Sequence, residues 1–93
     1  MIWKFLNDGE YEIEIGWIDK TTDGIIVEDA KKITLNLYLM LTSTMVHEMM
    51  HALFPAMSER RIETKTRKYI LKMSVEEIQQ LAEELLKEYW RKR

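Results

Sequence analysis

Up to about position 40 the apolar residues recur mostly at every second position, and beyond it at every third or fourth. Tyr11, Ile13 and Ile15 alternate with Glu12 and Glu14 and lead to Trp17 and Ile18, which predicts a half-exposed strand. Ile2 to Leu6 predicts a short strand before it. Lys20-Thr-Thr-Asp-Gly24 is a turn, with Asp-Gly as its strongest signal. Ile25 to Glu28 and Lys32 to Leu39 predict two more strands. In the second, Ile33, Leu35, Leu37 and Leu39 face one way and Thr34, Asn36 and Tyr38 the other.

From Leu41 onward there is no glycine, and the only proline is Pro55. Thr42 or Ser43 can cap a helix that runs to about Phe54, where Pro55 ends it because the residue before a proline is pushed out of the helical region. Ser58 can cap a second helix to about Met73, with Ile62, Thr66, Tyr69, Ile70 and Met73 on one face. Ser74-Val-Glu-Glu77 is a capping box opening a third helix, whose Ile78, Leu81, Leu85 and Tyr89 form an amphipathic stripe. The expected fold is α+β: a small antiparallel or mixed sheet of three or four strands from residues 1–40, packed on three helices from residues 41–73 and 74–93.

Composition narrows the classes. Ninety-three residues make one domain, 1–93, since two cores would each be too small to fold without staples. A net charge of −2 argues against nucleic acid as a partner, which calls for a basic face. The apolar runs are short and broken by charges, and the opening residues lack the pattern of a signal peptide, so the expected location is the cytoplasm, with no membrane span. Cysteine is absent, which excludes disulfides, thiolate metal sites and cysteine nucleophiles. A metal here would need nitrogen and oxygen ligands.

Such ligands stand in Thr44-Met-Val-His47-Glu48-Met-Met-His51-Ala-Leu-Phe54. Histidines four apart project from one helix face about 6 Å apart along the axis, so both imidazoles can reach one ion. Glu48, one residue round, is placed to touch a water on that ion. This is the H-E-x-x-H arrangement of zinc metallopeptidases, and these two histidines are the only ones in the chain. The surrounding helix is apolar almost all round, which predicts that it is buried and that the polar trio needs compensation there. The competing reading is a core helix that happens to carry two histidines.

No third histidine follows, so the third ligand is expected to be a carboxylate, from Glu59 or Glu63 on the next helix. With a hairpin centred near residue 56, the midpoint of the histidines near Met49 lies level with Glu63. Glu59 is then about 6 Å off along the axis and suited to the helix dipole. Glu63 is therefore the favoured ligand and Glu59 the runner-up.

With these residues in place, the chain resembles the gluzincins, and most of all the minigluzincins, single-domain archaeal scaffolds similar to the catalytic domains of Ste24/HtpX- and BlaR/MecR-type membrane peptidases. The resemblance spans about residues 32–70. It rests on Lys32-Ile-Thr-Leu-Asn36 as the strand before the active-site helix, on the His47–His51 motif, and on Glu63-Thr-Lys-Thr66-Arg67-Lys-Tyr69 as the glutamate helix. Arg67 departs from the family, which has an acidic or amide residue there; taking Glu59 as ligand puts Glu63 at that position. The resemblance implies a zincin-like fold and a segment, here residues 74–93, able to cover the cleft and keep the protein latent as a zymogen.

The expected function is a zinc-dependent peptidase with one Zn²⁺ on His47, His51 and Glu63, and with Glu48 as general base. The substrate is a peptide added as an extended strand to the edge of Ile33–Leu37. Tyr38 and Tyr69 are candidates for oxyanion stabilisation, though each also suits a core position. The alternative is a catalytically silent, zinc-stabilised binding or regulatory domain. Either a monomer or a dimer fits the chain.

Overall fold

The computed structural model describes residues 2–91, in the order α1 (Ile2–Asp8), β1 (Glu12–Ile15), β2 (Gly24–Val27), β3 (Lys32–Leu35), α2 (Leu37–Leu53), α3 (Glu59–Lys72) and α4 (Val75–Arg91). The fold is α+β, as expected, with a three-stranded mixed sheet. Its strand order is β1-β3-β2, with β1 parallel and β2 antiparallel to the central β3.

The first segment is a helix, not a strand. Five residues are too few for periodicity to separate the two, and Ile2, Phe5 and Leu6 fit helical spacing as well as they fit a strand. Gly9, at φ 67°, takes the left-handed conformation that follows many helix ends. Phe5 then lies against Tyr11, ring centroids 5.2 Å apart.

The second difference is where the sheet stops. The expected strand Lys32–Leu39 ends at Leu35, and Asn36 caps α2 in place of Thr42 or Ser43. Asn36 is fully buried, and each of its polar groups is used. Its side-chain oxygen accepts from the Leu39 N–H, and its amide nitrogen donates to the carbonyls of Asp19 (2.9 Å) and Thr22 (3.1 Å). Its backbone N–H donates to the Asp23 carbonyl, and its own carbonyl accepts from Met40. One side chain thus starts the helix and fastens the 19–23 loop to it. The Asp19 carboxylate orders the same loop from within: it accepts from the Thr21 N–H and from the hydroxyls of Thr22 and Thr21, which holds it below the ordinary carboxylate range.

Ser58 caps α3 by accepting from Arg61, as its position predicts. The Ser74–Glu77 box is formed reciprocally: Ser74 N–H donates to the Glu77 carboxylate, and Glu77 N–H donates to the Ser74 hydroxyl. The core is an interhelical cluster of Leu39, Val46 and Met50 from α2, Ile62 and Ile70 from α3, and Ile78 from α4. Buried Thr42 adds a hydrogen bond from α2 to the Ile78 carbonyl. From the first half of the chain, Trp17 packs against this cluster.

The sheet does not sit on the helices as expected. Every residue of β1 and β2 is exposed. The radius of gyration is 15.8 Å, against about 12 Å for a compact chain of this length. The helices bury one another's stripes, so the sheet is left as a projecting layer joined mainly through the Asn36 and Trp17 contacts. Among the described residues, no helix is long and apolar enough to cross a membrane.

Two outcomes follow. Asn36→Ala removes a cap and strands two carbonyls, so it should lower unfolding free energy by about 2–4 kcal/mol in urea denaturation; Asn36→Asp, which keeps the acceptor but loses both donors, should not restore it. Glu77 is held below its ordinary value of 4.5, first by the Ser74 N–H and then by the Ser74 hydroxyl. Its folded-state pKa is depressed, so its contribution is present above about pH 4.5 and is lost as pH falls through the lowered value. An NMR titration of the Glu77 carboxyl should show that lowering, and Ser74→Ala should reduce it.

Candidate metal centre

Helix α2 buries a single stripe, Leu39, Thr42, Val46 and Met50, rather than its whole circumference. His47 and His51 lie to one side of that stripe, half-buried, with side chains 26% and 37% exposed. They are therefore at a surface rather than in the core, so the expected cost of burying them is smaller than an all-round buried helix implies. Their Nε2 atoms face each other at 3.1 Å.

Glu59 completes the group. Its Oε1 lies 2.6 Å from His47 Nε2 and its Oε2 lies 2.9 Å from His51 Nε2. One ligand atom from each of the three residues falls within 4.8 Å of the others. A tetrahedral ion with bonds of about 2.0–2.1 Å separates its donors by about 3.3 Å, so the contacts of 2.6, 2.9 and 3.1 Å would have to open by about 0.2–0.7 Å to admit zinc. Two imidazole nitrogens and a carboxylate within 4.8 Å of one another are a donor set that suits Zn²⁺. The site fits the ion.

The structure brings Glu59, rather than Glu63, against the two histidines. Height along the helix axis favoured Glu63, but the angle around it matters more. At about 100° per residue, Glu59 lies about 20° from the centre of the buried Ile62-Thr66-Ile70 stripe and Glu63 about 60° from it. The long side chain of Glu59 then covers the axial offset. Glu59 still occupies the first turn of α3, so the carboxylate that meets the histidines also suits the helix dipole.

Glu63 instead lines a cavity of about 420 Å³ beside His47 and Glu48. The 19–23 loop forms one wall through Lys20, Thr21 and Asp23, and α3 supplies Thr66 and Arg67. Lys20 braces that wall by donating to the Leu71 carbonyl in the last turn of α3. The Thr66 hydroxyl is buried and, among the described residues, has no hydrogen-bond partner. Glu48 is exposed and lines the cavity beside His47, which also belongs to the His47–His51–Glu59 group.

Neither oxyanion candidate lines this cavity. Tyr38 packs against the helical core and Tyr69 is exposed. No described residue of α4 lines it either, because α4 turns Ile78 and Ala82 inward and packs on α2. The loop wall was missed because Asn36 reads as a strand residue; its preference for N-cap positions was the available signal.

The chain matches no family model, no curated protein and no solved structure. The metal reading therefore stands on these residues and their geometry.

Exchanging the carboxylates tests it. Glu59→Gln should lower zinc affinity at least about 100-fold, and Glu63→Gln no more than about tenfold, in competition titrations against a chromogenic chelator.

Proposed function

We propose that this protein is a zinc-dependent peptidase of the gluzincin type, with His47, His51 and Glu59 as the metal ligands. The observation that carries the proposal is the convergence of those three side chains, with Glu48 beside them on a cavity large enough for a small ligand, a class that occupies about 300–1,000 Å³. Zinc held there supplies Lewis acidity, which polarises a carbonyl and makes water more acidic.

The chain's own residues supply the rest. Glu48 takes a proton from the attacking water as its oxygen bonds to the scissile carbonyl carbon. The C–N bond then breaks, and Glu48 returns the proton to the departing amine. Glu63, Thr66 and Arg67 offer polar contacts along the cavity wall to a peptide seated there. An extended substrate cannot pair with Ile33–Leu37, because β3 is the central strand and is bonded on both sides. Among the described residues, the outer edges of β1 and β2 are the ones open to strand addition.

A second reading has a specific observation behind it. Glu59 joins α3 to both histidines of α2, so an ion there would cross-link the two helices of a small core and stabilise the fold without catalysis. Glu48→Gln separates the two. As an enzyme, the variant should retain zinc and lose about 10²–10⁴-fold in turnover of a quenched fluorescent peptide library. If the site is structural, the wild type shows no cleavage, and chelation lowers the melting temperature of wild type and variant alike.

A further inference from the structure

The two free edges of the sheet differ in chemistry. β1 carries Glu12 and Glu14 in a strand of four residues, so two copies paired along it would oppose like charges. β2 is Gly24-Ile25-Ile26-Val27, with no charge and no proline to deter pairing, and its three apolar residues are 41%, 53% and 46% exposed.

The register settles which backbone groups are free. Asn36 N–H donates to the Asp23 carbonyl, so in this antiparallel pair the ladder bonds run between 23 and 36, 25 and 34, and 27 and 32. Gly24 and Ile26 therefore turn their N–H and C=O groups outward. The same register sets Ile13, Ile33 and Ile26 in one row across the sheet, with Ile15 and Leu35 on the same face.

We propose that β2 is a dimerisation edge, where a second copy of this chain pairs antiparallel about a two-fold axis at Ile26 and the two sheets become one of six strands. An axis normal to the sheet keeps the apolar faces on the same side and requires one residue to lie opposite its own mate. Ile26 meets both conditions, since its backbone groups point outward and its side chain belongs to the apolar face. Its N–H and C=O bond those of the partner's Ile26, and the isoleucine row runs unbroken through both copies. Within Gly24–Val27 no carboxylates face each other; Glu28 falls opposite the partner's Gly24, and Asp23 comes level with the partner's Asp29 only beyond the strand ends. The contact is short, and association is correspondingly weak. β1 remains the edge open to an extended peptide. None of this depends on the metal centre.

The test is analytical ultracentrifugation of the full chain from micromolar to millimolar concentration, with and without zinc. Wild type should move from 11.2 kDa towards twice that mass as concentration rises. Ile26→Lys should stay at the lower mass, while Ile15→Lys, on the same face but on β1, should still dimerise. Amide exchange gives a check without mutation: Ile26 should gain protection with concentration, whereas Ile25, bonded to β3, should be protected throughout. A wild type that stays monomeric, a dimer that survives Ile26→Lys, or one abolished equally by Ile15→Lys overturns the proposal. So does Ile26 exchange that is independent of concentration, including the case in which the edge takes up only unrelated extended peptides.

Discussion

The relation between the loop wall and the metal helix rests on the hydrogen bonds of one buried amide. Asn36 uses both side-chain donors on the carbonyls of Asp19 and Thr22 and its acceptor on the first turn of α2. A buried amide with a missing partner costs about 1–3 kcal/mol, so the loop and helix are held in the one arrangement that satisfies all its groups. Lys20, Thr21 and Asp23 of that loop line the cavity together with Glu63, Thr66 and Arg67. The helical core orients His47, His51 and Glu59, and Asn36 fastens the 19–23 loop beside them.

The candidate centre combines order and access. Ile62 and Ile78 are fully buried, whereas the histidines and Glu59 remain partly open to solvent. Packing on one side of α2 fixes the direction of the imidazoles without enclosing them. An ion could therefore exchange with solvent while its ligands stay near their binding positions. Glu59 lies between two demands, a helix N-terminus that favours negative charge and two imidazoles that need an acceptor, and its first-turn position serves both.

What could be read from the residues follows the range of the interactions involved. The caps at Ser58 and Ser74 and the shared face of His47 and His51 depend on neighbours within four positions, and local spacing was enough to place them. Glu59 against Glu63 depends on how two helices turn towards each other, which axial distance alone does not contain. Asn36 was misplaced because alternation continues through Leu37 and Leu39 although the backbone has already changed to helix; a period-two reading cannot detect that change when the leucines fit either element. Strand order lies further out of reach, since a parallel β1–β3 pair with β2 on the far side leaves no mark in any single strand.

The donor group also has a consequence for the order of assembly. His47, His51 and Glu59 belong to one helix–turn–helix, and the sheet contributes none of them. The ring of chain that an ion would close there is short, and the entropy lost on closing a ring grows only slowly with its length. The parallel β1–β3 pair must gather residues about twenty positions apart before any of its bonds form. Capture of an ion at that group would thus be separable from formation of the sheet.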